Sequence, residues 1–235
     1  MPESHTTPEQ ETIIVLPSGG IHTRGERRNG PEDAHALIDS ACTTLLAQAA
    51  QQDQTIWVSI AQAEGSVHHY KIAANGTMVF RNRPPAPSSG PVAAYWTDGI
   101  PEDTGMLDTV RAAHRAGQWT AAQAAADRAT QQQLIEHGPD HPYVVMGQEL
   151  QAHFALMASD WNAAATLYTT AATACHRLNG PPSYTSRYLA NAVAAWLRRI
   201  PDHPSFSTGY ALAHALVRIQ PHNKPALGAL LRRLP

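Results

Sequence analysis

The sequence predicts two unlike domains, an α+β module of β-α-β-β-β order followed by an all-α stretch of repeated helix pairs. Three observations carry this reading. Short β-branched runs cluster before residue 81, a proline-rich interruption follows near residue 84, and helical apolar spacing with a 42-residue period fills the rest. The boundaries read as 1–83 for the module, 84–102 for a Pro-rich linker and 103–235 for about three helix pairs and a capping helix.

The first element is Thr12 to Leu16, a β-branched run stopped by Pro17-Ser18-Gly19-Gly20, hence a strand and a turn. Residues 22–30 are polar, carry Arg24, Arg27 and Arg28, and read as a loop. Pro31-Glu32-Asp33 suits a helix start, because proline fits the first turn and acids meet the positive dipole end. Ala34, Leu37, Ile38, Ala41, Leu45 and Leu46 then line one face of a helix running to about Gln52. Ile56, Val58 and Ile60 alternate with Trp57 and Ser59 in a strand. Glu64-Gly65-Ser66 turns the chain into Val67 to Ala73, and Asn75-Gly76 signals a type I′ hairpin before Thr77 to Phe80. The module is a sheet covered by one helix, and its close, His68 to Val79, resembles the end of a small domain at the front of many actinobacterial proteins.

Arg83 to Pro91 holds four prolines, two serines and Gly90, which resist regular structure. Tyr95-Trp96 beyond it reads as an aromatic staple onto the next domain, with a partner contact as the other reading. Helices follow over 103–116, 119–136, 142–158, 161–178, 184–199 and 204–219, with a last one over 223–233. Trp119 and Trp161 are 42 residues apart, as are Gly138-Pro139 and Gly180-Pro181, Ala121-Ala122 and Ala163-Ala164, and Ala129 and Ala171. Tyr168 and Ala171 recur at the same interval as Tyr210 and Ala213, while Pro201-Asp202-His203-Pro204 falls early and shortens the last unit.

Gly117-Gln118-Trp119-Thr120-Ala121-Ala122 and Asp160-Trp161-Asn162-Ala163-Ala164, each followed by alanines at packing spacing, resemble the second helix of a tetratricopeptide repeat. Gly138-Pro139-Asp140-His141-Pro142 is similar to the inter-repeat turn of the 42-residue class found in kinesin light chains and many actinobacterial regulators. The resemblance implies helix pairs stacked into a solenoid whose first helices line a groove for a protein or peptide. On those helices stand Arg111, His114 and Arg115, then Gln148, Gln151 and His153, then Arg187, Asn191, Arg198 and Arg199. Arg187 and Asn191, four apart on one face, supply part of that family's carboxylate clamp; its full set does not map onto this chain.

Composition narrows the classes. The 235 residues are 43% hydrophobic but only 15% charged, below the usual ~25%, and the net charge of −2 excludes a generally basic nucleic-acid coat. That total conceals a step. Residues 1–83 hold six basic and nine acidic side chains and residues 84–176 three and nine, whereas residues 177–235 hold eight against Asp202 alone, for +7. All but Lys71 and Lys224 of the 17 basic residues are Arg, which with the heavy alanine usage suggests a GC-rich genome. An acidic protein steered to the C-terminal end is one reading of the step, and head-to-tail self-association is a second. Nucleic acid is a third, against which stands the lack of an aromatic platform.

No chemistry emerges from spacing. His137 and His141 flank Gly138-Pro139 and so share no helix face, and no HExxH, paired CxxC, GxSxG or GxxxxGK[ST] occurs. We therefore expect neither enzyme activity, metal nor cofactor. A small-ligand sensor or enzyme on the N-terminal module, with the repeats as docking arm, is the alternative. Cys42 and Cys175 are far apart and read as reduced, buried side chains. With a polar Met1 to Gln10 and no apolar run near ~20 residues, the expectation is a cytoplasmic chain without a membrane partner.

Overall fold

A computed structural model of the chain describes residues 9–16, 21–23, 26–28, 34–81, 95–98, 105–198 and 206–235. The chain divides into two compact units, one formed by Met1–Ala86 with Leu216–Pro235 and the other by Pro87–Ala215.

The first unit holds a six-stranded sheet in the order β3-β2-β1-β4-β5-β6. Its strands are β1 (Glu9–Val15), β2 (Ile21–Thr23), β3 (Glu26–Arg28), β4 (Ile56–Ala61), β5 (Val67–Ile72) and β6 (Met78–Arg81). β1 and β4 pair in parallel, with Ile13 opposite Ile60, and all other neighbours are antiparallel. A parallel pair needs a crossover connection, and α1 (Ala34–Gln51) lies in that connection. Alternation then sorts the side chains. Ile13, Val15, Ile56, Val58, Ile60 and Ile72 form one core with Leu37, Ala41 and Ala49 of α1.

Two expectations change here. The stretch 22–30, read as a loop, contributes β2 and β3, so the sheet has six strands where β-α-β-β-β supplies four. Strands of three residues are too short to show a period, and they enter the sheet by pairing, β2 with β1 and β3 with β2. The second change concerns the sheet's other face. Ile14, Leu16, Ser59, Ala61 and His69 are also buried, with Ser59 Oγ 2.9 Å from His69 Nδ1. In the same unit lie the buried Leu227, Leu230, Leu231 and Leu234 of the C-terminal segment. Thus α9 (Lys224–Leu231), expected to cap the repeats, groups with the sheet. It meets the β4–β5 turn at Gly65, where φ is +92° and a Cβ would lie 2.7 Å from the Lys224 carbonyl oxygen.

The second unit is helical: α2 (Tyr95–Asp98), α3 (Gly105–Arg115), α4 (Trp119–His137), α5 (Pro142–Met157), α6 (Trp161–Arg177), α7 (Pro182–Arg198) and the start of α8 (Phe206–Ile219). From α3 to α7 each helix packs on the next. Alanines permit this closeness: Ala122, Ala126, Ala164, Ala165, Ala171 and Ala172 are fully buried. Side chains also bridge alternate helices, with Thr166 and Thr208 hydroxyls 3.0 Å apart between α6 and α8. The turn Pro201 to Pro204 and most of the linker lie outside the described residues. The linker's far end is α2, a helical turn packed on α5. Among the described residues no helix is long and apolar enough to cross a membrane.

Because any side chain at Gly65 meets backbone rather than a movable group, Gly65→Ala is expected to destabilise the first unit by about 1–3 kcal/mol. Urea denaturation together with amide exchange in 224–231 checks this, and α9 should lose protection first.

Candidate functional site

Helix α5 begins where the sequence provides a cap. Pro142 occupies its first turn, and His141 Nδ1 accepts the Tyr143 N–H at 3.2 Å. From that start, Met146, Glu149, Leu150 and His153 form one row along the helix. Tyr184, Arg187 and Asn191 form the facing row on α7, and Tyr168 of α6, Leu107 of α3 and Trp96 of α2 complete an open groove of about 700 Å³.

Glu149 organises the groove. Arg187 Nη2 donates to one of its oxygens at 2.7 Å, and the Tyr188 hydroxyl donates to the other at 2.6 Å. Tyr188 is 0% exposed, so its hydroxyl depends on that protein partner. Burial, reinforced by the Glu149 hydrogen bond and charge, holds this phenol far above its ordinary pKa. Tyr168 is raised for the same first reason, with Glu149 adding to it and a hydrogen bond from Asn191 opposing it. The Arg187 guanidinium lies 4.8 Å from the Tyr184 ring centre and 5.4 Å from that of Tyr188, in cation–π contact with both. Half of the Arg187 side chain is still exposed. The groove therefore offers aromatic walls, one fixed guanidinium and a partly buried acid behind it.

The aromatic pair after the linker is split by role. Trp96 is 1% exposed, edge-on to Tyr184 at 6.4 Å. Its ring crosses the bare face of Gly180, where a Cβ would come within 2.8 Å of Trp96 Cζ2. Tyr95 is half exposed and packs against His141 and Tyr143.

Of the residues singled out from sequence, Arg187, Asn191 and His153 come together in the groove. The others fall elsewhere. Arg111 pairs with Asp108 at 3.4 Å on exposed α3, and Arg115 Nε donates to the Arg111 carbonyl. His114 rests against Trp119 and Phe154. Gln148 and Gln151 lie on α5 but outside the lining row, and the Gln148 Oε1 is buried without a partner among the described residues. Arg198 sits over the Trp161 ring at 5.7 Å, and Arg199 lies outside the described residues. Picking polar residues missed Glu149, Tyr168, Tyr184 and Tyr188. The recoverable signal was the three- and seven-residue spacing of Tyr184, Arg187 and Asn191.

The +7 stretch is divided between the two units. Arg177 binds Asp140 at 2.6 Å and Arg187 binds Glu149, while Arg218, Lys224, Arg232 and Arg233 belong to the other unit.

The His137 and His141 rings, separated in sequence by a turn, stack with centres 4.4 Å apart. Among the described residues no group of three His, Cys, Asp or Glu is placed to hold a metal ion. Cys42 and Cys175 are free and buried, and burial pushes both thiols up.

Two measurements test this geometry. Tyr188→Phe should cost about 1.5–3 kcal/mol in urea denaturation, the worth of a hydrogen bond to a charged group, and much less in a Glu149→Gln background. Burial and the neighbouring His137 lower the His141 pKa, so the unfolded chain takes that proton first. Stability from this residue is complete above the ordinary histidine value of 6.5 and is lost as pH falls through the lowered one. Protonated Nδ1 also cannot accept from Tyr143. Urea midpoints of wild type between pH 7.5 and 5 should therefore fall about 1 kcal/mol more than those of His141→Asn, which keeps a cap without titrating.

Comparison with protein-family models, curated proteins and solved structures finds no significant match to this chain.

Proposed function

We propose that the chain is a non-catalytic interaction protein that holds a protein or peptide segment in the groove between α5 and α7. The observation that carries this is the convergence of Arg187, Asn191, Tyr184 and Glu149 on one open cavity of about 700 Å³. Clefts with aromatic walls and a few fixed polar groups are the usual form of a binding site, and Arg and Tyr are enriched where interfaces concentrate their energy. Because Glu149 and the Tyr184 ring already fix the guanidinium, little side-chain entropy is lost when a partner meets it.

Tetratricopeptide-like organisation supports the same reading. Positions 42 apart occupy matching places: Trp119 and Trp161 each begin a helix, Ala122 and Ala164 are fully buried, and Ala129, Ala171 and Ala213 are buried in alternate helices, α4, α6 and α8. In such stacks the first helices of the pairs, here α3, α5 and α7, carry the partner.

The test is selection of binders from a displayed random peptide library on the full-length chain. Tyr184→Ala/Asn191→Ala should weaken the selected peptides at least about tenfold, or 1.4 kcal/mol. Arg111→Ala/Arg115→Ala, which lies off the groove, should leave them unchanged. Peptides indifferent to the groove pair but released by Arg232→Glu/Arg233→Glu would move the function to the basic C-terminal segment and end the groove reading.

A further inference from the structure

The sheet of the first unit ends in two unlike edges. On one side, among the described residues, the last strand is β3, whose sequence Glu26-Arg27-Arg28 is charged throughout. Charge along an edge is how sheets discourage further pairing. On the other side the last strand is β6, Met78-Val79-Phe80-Arg81, which has no proline and only its final residue charged. Val79 is 38% and Phe80 53% exposed. Phe80 leans edge-on against Tyr70 at 5.7 Å, and half of it still faces water. The other exposed large apolar side chains among the described residues, Tyr95, Ile135 and Met157, each stand on a different helix, so β6 alone presents two together.

The register fixes which backbone groups face outward. At the β5–β6 turn the Ala73 N–H donates to the Thr77 carbonyl at 2.9 Å. Antiparallel pairs alternate between hydrogen-bonded and non-hydrogen-bonded. Counted from that bond, Lys71–Val79 and His69–Arg81 exchange bonds, whereas Ile72–Met78 and Tyr70–Phe80 do not. The N–H and C=O groups of Met78 and Phe80 therefore point away from β5, and among the described residues no strand lies beyond them. Their side chains share the face of Tyr70, and Met78 and Tyr70 already pack against the core under α1.

We infer that β6 pairs antiparallel with β6 of a second copy of this chain, about a two-fold axis at Val79, and so joins two sheets into one. The edge is complementary to itself. A two-fold axis normal to the sheet keeps each face continuous and sets each residue opposite the one equally far beyond the axis. Centred on Val79, it puts Met78 opposite the partner's Phe80, and these are the residues whose backbone groups face outward. Each N–H and C=O of the pair then finds its counterpart. Val79 meets its own copy as the non-hydrogen-bonded pair, where side chains come closest. Apolar thus meets apolar at all three positions, and Arg81 falls opposite Thr77, so no like charges oppose each other. Other registers lose this match. An axis at Phe80 sets Val79 against Arg81, and an axis at Arg81 sets two guanidinium groups face to face. The strand is short, which places the interface among the small and reversible ones.

Sedimentation velocity of the full-length chain at rising concentration tests this. A reversible monomer–dimer equilibrium is expected, with Kd below about 1 mM. Val79→Lys replaces an apolar pair at the axis by two facing ammonium groups, at a position exposed in the monomer, and should raise Kd about tenfold. The register is read by oxidation of single-cysteine variants, since Cys42 and Cys175 are buried and stay silent. Val79→Cys lies against its own copy and should form an intermolecular disulfide, whereas Arg81→Cys, roughly 14 Å from its copy, should not. Should Val79→Lys fail to fold by circular dichroism, the two cysteine variants decide alone. A chain that stays monomeric up to about 1 mM overturns the inference. So does a dimer that folded Val79→Lys leaves intact, or a disulfide formed equally by Arg81→Cys. Growth beyond the dimer, which needs a second adhesive surface, overturns the closed two-fold arrangement.

Discussion

One carboxylate sets the shape of the helical groove. Glu149 accepts from Arg187 and from Tyr188, and through those two bonds α5 and α7 are held at a fixed separation and rotation. Bonds to an ionised acceptor are shorter and roughly twice as strong as neutral ones, and both donors lie on the same helix. Tyr188 has no access to water, so the bond is obligatory for that residue rather than a surface option. Arg187 is then positioned from below by the acid and from the side by the Tyr184 ring. The half of its side chain left in solvent is thus already oriented.

Around that bridge, packing is governed by how little side chain the helices carry at their contacts. Alanines line the α4–α5 and α6–α7 approaches, and Gly180 leaves its face bare for the Trp96 ring. Trp96 closes one wall of the groove from a four-residue helical turn that could not stand alone. The groove is therefore made by contributions from α2, α3, α5, α6 and α7, joined by close packing and one ionic bridge.

The sheet unit shows the same economy. Its parallel β1–β4 pair is flanked by antiparallel strands, and side chains on both faces of these two strands are buried. Ser59 and His69 satisfy one another on the second face. Polar groups are thus tolerated in this unit where a partner is within reach.

Much of the fold was legible because its signals are local. Helix positions from α3 to α8 follow from 3.6-residue periodicity and from punctuation at Gly138-Pro139 and Gly180-Pro181, and β4 to β6 from alternation and the Asn75-Gly76 turn. Arg187, Asn191 and His153, singled out on the helices that the resemblance assigns to a groove, line one cavity. Glu149 was not legible, because its role depends on a residue 38 positions away. β2 and β3 were not legible because three residues show no period, and their existence is decided by pairing, β2 on the edge of β1 and β3 on β2. The grouping of α9 with the sheet and the division of the +7 stretch between the two units were equally hidden. Periodicity states which side of an element is apolar and charge counts state how much there is, whereas the facing partner is chosen by long-range packing. By itself the sequence determined the elements long enough to show a period, their order and the candidate cations. Only the tertiary structure decided which of them meet, because a contact is a property of two surfaces and a linear pattern describes one.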